Sequence, residues 1–126
     1  MGYHHLEPAA IEATPGHSCE RHSISDAAGL SNLATALYVV QPGEQLAQSY
    51  HYHEQREECF YVLAGTLSVR TPSETYRVGP DEVFVVEPES PILPHVPDGA
   101  GEAARVLGVG APSYDPGRPY EPDGDE

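Results

Sequence analysis

From residue 33 onward, apolar and polar residues come in short bursts separated by Pro and Gly. Residues 33–40, Leu-Ala-Thr-Ala-Leu-Tyr-Val-Val, read as a strand closed by the turn Gln41-Pro42-Gly43-Glu44. Residues 46–53 form a second expected strand, and residues 58–63 a third that ends at Ala64-Gly65. Residues 66–70 alternate cleanly, residues 71–74 turn into a strand over 75–78, and Gly79-Pro80-Asp81 turns into a strand over 83–86. A Pro-rich run over 87–97 precedes the last expected strand, residues 104–110. Short, evenly spaced strands bounded by Gly and Pro predict an all-β sandwich or barrel.

The flanks lack this rhythm. Residues 1–32 read as a polar N-terminal arm: a faint edge strand over 1–6, one helical turn over 8–13 before Pro15-Gly16, and loop over 23–32. Residues 111–126 are rich in Pro, Gly, Asp and Glu and predict a surface arm, frayed at its end, with Tyr114 and Tyr120 as anchors. There is no internal repeat, and one domain is expected, with its barrel over 33–110.

Charge narrows the partners. Twenty acidic residues face six basic ones, all Arg, for a net charge of −14. Such a surface repels phosphates, which disfavours nucleic acid and anionic membranes. The 39% hydrophobic content opposes an acidic disordered chain. No apolar run approaches the roughly 20 residues that span a bilayer, and the N-terminus lacks a signal-peptide pattern, so a cytoplasmic protein is expected. An acidic surface without Lys resembles those of halophilic archaea. Cys59 falls in an apolar strand and Cys19 in the polar run His17-Ser18-Cys19-Glu20-Arg21-His22, whose spacing fits no standard metal pattern. No disulfide is expected.

The candidate chemistry sits at His51-Tyr52-His53, where a strand would point both imidazoles to one face. Glu58 opens the next apolar run, where it can bring a carboxylate beside them. Two imidazoles and a carboxylate suit a divalent transition metal such as Fe, Mn, Ni, Cu or Zn. The spacing of His51, His53, Glu58 and Gly65 resembles the first motif of the cupin superfamily, His-x-His-x4-Glu-x6-Gly. Gly43 stands for the family's upstream glycine, with seven residues before His51 where five are usual. The resemblance implies a small jelly-roll β-barrel with its metal inside the mouth, and a homodimer.

The second cupin motif usually supplies a third histidine, and here it departs. Counting from Gly79 reaches Ser90, and Ser90-Pro91-Ile92 resembles the Ser-Pro-His of small cupins with Ile92 in the histidine's place. Val96 then stands for the usual asparagine. His95 is the other candidate ligand, but three residues from Ile92 it points to the opposite face unless a bulge reverses the parity. The metal candidates are therefore His51, His53, Glu58 and His95.

Three function classes follow. One is a metal-dependent enzyme acting on a small molecule in the barrel. The others are a ligand-binding barrel without turnover, and a dimeric scaffold with a decayed site. Few basic residues disfavour a phosphorylated substrate; Arg56 and Arg70 are the nearest candidates by sequence. No Gly-rich phosphate loop and no nucleophile-elbow serine is present, and no catalytic residue is assigned.

Overall fold

The computed structural model describes residues 2–122. Its strands are β1 (Glu20–Ser23), β2 (Ala34–Val40), β3 (His51–Tyr52), β4 (Glu57–Ala64), β5 (Leu67–Arg70), β6 (Thr75–Val78), β7 (Val83–Val86), β8 (Leu93–His95), β9 (Ala104–Ala111) and β10 (Arg118–Pro119). One short helix, α1 (Ile24–Ala28), and a 3-10 turn at Pro8–Ala10 complete the elements. One antiparallel sheet runs β1-β2-β9-β4-β7 and faces a second, β6-β5-β8. Bridges from Gln45 to His95 and from His51 to Ile92 extend the second sheet toward β3, which pairs with β10. Together they form a jelly-roll barrel.

Alternation decides what fills it. On β9, Ala104 and Val106 are fully buried while Arg105 between them is exposed, as the period of two requires. Val62, Leu67, Val69, Val78, Val86, Ile92 and Val96 complete the core from the other strands. Each such side chain contributes about 1.5–3 kcal/mol on burial. At one end, Tyr76 and Phe84 close the gap between the sheets with ring centroids 5.1 Å apart. Gly65 turns the β4–β5 hairpin at φ +75, a left-handed conformation that favours glycine, and an added Cβ would strike the Ala103 carbonyl.

Several expectations change. Residues 46–50 are not a strand. The backbone N–H of Leu46 bonds to Pro94 O and that of His51 to Ile92 O, so five steps on one side meet two on the other. The surplus bulges outward. In the N-terminal arm, residues 2–6 form no strand, and Met1 lies outside the described residues. The expected loop over 23–32 instead starts with α1, capped by the Ser23 hydroxyl accepting from the Asp26 N–H at 3.1 Å and stopped by Gly29 at φ 69. The Pro-rich run yields the regular strand β8. Cys19, in a polar stretch, joins the core, and burial pushes its thiol up to about 12, while Cys59 is only partly buried. His22 bonds to the Ile11 carbonyl at 2.6 Å and to Glu20 at 2.6 Å.

The C-terminal arm is more ordered than its composition predicts. It crosses the barrel mouth, pairs as β10 with β3, and bonds the Tyr120 N–H to Tyr50 O at 3.0 Å, with the two rings 4.8 Å apart. Tyr114 remains exposed, and residues 123–126 lie outside the described residues.

Candidate metal centre

His51 and His53 lead out of the bulge, and Glu58 enters β4 on its interior face, beside Gly110 of β9. An added Cβ at Gly110 would lie 2.9 Å from the Arg56 Cδ and 3.2 Å from the Glu58 Cγ, so the glycine makes room for both. The ligand atoms of His51, His53 and Glu58 fall within 4.8 Å of one another. Around one ion at about 2.1 Å, any two ligands stand at most about 4.2 Å apart. The cluster is thus within a small side-chain rotation of a coordination set and could hold a metal ion.

Backbone carbonyls orient both imidazoles. His51 Nδ1 lies 2.8 Å from Ser49 O, and His53 Nδ1 lies 2.6 Å from Asp115 O. A carbonyl only accepts, so each Nδ1 carries the proton and each Nε2 keeps a lone pair. Burial lowers the His53 pKa below the usual histidine value, against a smaller upward pull from Glu58. The neutral, metal-binding form is favoured.

The arm supplies more than one carbonyl. The Asp115 carboxylate accepts from the N–H groups of Gln55 at 2.8 Å and Arg56 at 2.7 Å, and these hold its pKa below the usual carboxylate value. Arg56 donates through Nε to Pro112 O at 3.0 Å and through Nη2 to Ser113 O at 2.5 Å. Its Nη1 stands 3.6 Å from Glu58 Oε2, while His53 Nε2 stands 4.0 Å from the same oxygen. Glu58 therefore faces a guanidinium on one side and the imidazoles on the other.

His95 stands apart from this cluster. It pairs with Ser68 of β5, its Nδ1 donates to Leu93 O at 3.1 Å, and it lines a separate cavity with Glu44, Arg70 and Asp98. No bulge reverses the parity: Ile92, Pro94 and Val96 are buried, and Ile92 sits directly across from His51. The interior position beside the two imidazoles is an isoleucine.

A cavity of about 260 Å³ opens beside the cluster, walled by Tyr38, Leu46, Ala47 and Phe60. His17 also lines it, with Nε2 bonded to Leu46 O at 2.8 Å. A larger cavity of about 320 Å³ lies on the other side of Tyr38, Arg56, Glu58 and Phe60, which line both. The sequence reading missed Tyr38 and Arg21 here. Tyr38 shares interior parity with Ala36 and Val40, a signal that was available; Arg21 lies in a segment with no readable period. Burial raises the Tyr38 pKa, and the guanidinium of Arg21, its register partner, partly opposes that.

Comparison with known proteins agrees with this architecture. No curated protein matches the sequence. Among solved structures, the polyketide cyclase RemF from Streptomyces resistomycificus is 22% identical with a TM-score of 0.78, covering 98% of this chain and 89% of that one. A sugar phosphate isomerase of the cupin superfamily from Silicibacter pomeroyi is 22% identical with a TM-score of 0.69, covering 85% and 74%. KdgF from Halomonas sp. is 16% identical with a TM-score of 0.71, covering 88% and 94%. Identities at this level establish a shared fold. The family model for the cupin domain matches residues 36–110, more than half of the sequence, and the chain belongs to the cupin family.

Proposed function

We propose that this cupin is a metal-dependent protein acting on a small, largely apolar molecule, with His51, His53 and Glu58 as ligands for a divalent transition metal. The convergence of their three ligand atoms within 4.8 Å, at the wall of a cavity, carries the reading. Bound there, the metal would supply Lewis acidity to a substrate oxygen or a site for dioxygen. The chain's own groups orient the ligands and exclude water: two carbonyls fix the imidazoles, and Tyr38, Leu46 and Phe60 make the wall apolar.

Between the chemistries of the structural neighbours, this lining favours a polyketide-type substrate over a sugar phosphate. Arg56 is already engaged by Glu58 and two carbonyls, which leaves little cationic capacity for a phosphate. A second reading, ligand binding without turnover, draws on Ile92 in the place of a third imidazole and on Arg56 neutralising Glu58. A salt-adapted, cytoplasmic homodimer remains part of the proposal, supported by the acidic excess and by the cupin resemblance.

The test is metal content after reconstitution of protein purified without a nickel column. The parent should take up close to one ion per chain, His53→Ala should lose it, and His95→Ala should retain it. Loss in both variants would bring His95 into the site. No uptake of Fe, Mn, Ni, Cu or Zn by the parent would overturn the metal reading and leave the binding one.

A further inference from the structure

The larger cavity has a chemistry of its own. It lies on the concave face of the five-stranded sheet, over two cross-strand rows. Ala34, Gly110 and Glu58 are register partners in one, and Ala36, Gly108 and Phe60 in the other. Four of these six positions are Ala or Gly, and the space over the two glycines is filled by the Tyr38 and Phe60 rings and by the Arg56 and Glu58 side chains, so two aromatic rings border the cavity. Tyr38 and Phe60 rise from it at the boundary with the metal-side cavity, each within reach of Gly108, where an added Cβ would meet the Tyr38 ring at 2.9 Å and the Phe60 ring at 3.4 Å. Glu58 lines both cavities, so a ligand in the larger one has an end beside a candidate metal ligand.

Arg21 marks the other end. In a chain with twenty acidic residues and six Arg, it makes no ion pair among the described residues. Its Nη1 donates to Thr14 Oγ1 at 2.9 Å, and Arg21 stands directly across from Tyr38 in the β1–β2 register. Arg56, by contrast, has its charge compensated by Glu58 and its donors engaged by carbonyls. Asp26 lines the rim of the same cavity but is exposed and forms no ion pair with Arg21. A partly buried guanidinium without a carboxylate partner, beside a phenol hydroxyl, is the recognition chemistry of a carboxylate.

We propose that Arg21 and Tyr38 form a carboxylate-binding subsite in this cavity, and that its ligand is a planar conjugated acid whose ring lies against Tyr38 and Phe60. The proposal deepens the function argued above and rests on it only for the end of the ligand that meets the metal ligands. Arg21 fixes the acid end, and the span of the cavity from Arg21 to Glu58 sets which ring substituents approach the candidate metal ligands.

Calorimetric titration of metal-stripped protein tests this apart from metal chemistry, with 2-naphthoate and the neutral 2-naphthalenemethanol as probes. The parent should bind the acid at least tenfold more tightly than the alcohol. Arg21→Met should lose that tenfold preference while keeping the parent's circular-dichroism spectrum, which shows that the variant is folded. Arg21→Lys should keep most of the preference, since the charge remains. Equal affinity for acid and alcohol in the parent would overturn the proposal. So would undiminished acid binding in Arg21→Met, or no acid binding at millimolar concentration. Metal stoichiometry is measured separately, so a protein that binds the acid but no metal would sink only the metal reading.

Discussion

Two neighbouring stretches of backbone cross the barrel mouth, residues 51–58 and residues 92–96, and they meet at the bridge between His51 and Ile92. Both point alternate side chains inward. On the first, the inward positions carry imidazoles and a carboxylate, held from outside by carbonyls of Ser49 and Asp115. On the second they carry Ile92, Pro94 and Val96, all buried, while the strand's histidine turns to the other face. Register, rather than the presence of a histidine, decides which strand contributes to a metal site. A second lesson concerns support: the ligand-bearing stretch is short and irregular, so its precision comes from a distant segment rather than from a ladder of strand hydrogen bonds.

The difference between the two stretches depends most on that support. Asp115→Ala removes the acceptor for the Gln55 and Arg56 N–H groups and frees the carbonyl that orients His53. Loss of such an outer partner typically lowers metal affinity by about 10–100-fold. A Co(II) titration monitored by absorption should show that fall; unchanged affinity would mean that the barrel alone positions His53. Next in size, Ile92→His places a third imidazole on the inward face opposite His51. It should raise Co(II) affinity by about tenfold and alter the ligand-field bands, at a stability cost of about 1–3 kcal/mol for polarity in an apolar slot. No gain would show that the metal position lies away from that strand.

The smallest effect is on acid stability. The N–H groups of Gln55 and Arg56 depress the Asp115 pKa, so its contribution is fully present above the ordinary value of 3.8 and is lost as pH falls through the depressed one. Melting curves of parent and Asp115→Ala should differ at neutral pH and converge in strong acid. A gap that persists unchanged at low pH would assign the effect to something other than this carboxylate.

Strands β5, β6 and β7 were legible because Gly and Pro turns bound their short β-branched runs, and β9 because it alternates between buried and more exposed positions along its length. The ligand trio was legible because its spacing spans a strand end and the next strand's start. The bulge over 46–50 was not, since it depends on how many residues face the 92–94 stretch across the barrel. Nor was the role of the C-terminal arm. Its contacts with the site are made chiefly by the carbonyls of Pro112, Ser113 and Asp115, groups that every residue possesses and no side-chain pattern reveals. Cys19 escaped for a related reason: its neighbours in sequence are polar, and its apolar neighbours arrive from other strands.

The bond from His53 to Asp115 O joins positions 62 residues apart. A chain emerging from the ribosome completes β4 long before that carbonyl exists in place, and domains acquire their contacts in the order of synthesis. Until residue 115 has emerged, His53 lacks the acceptor that fixes its tautomer, and until residues 118 and 119 follow, β3 lacks its partner strand. Ordering of the candidate ligands is thereby deferred until residues 115–119 have emerged, so a chain stalled before them would present His51 and His53 without these supports.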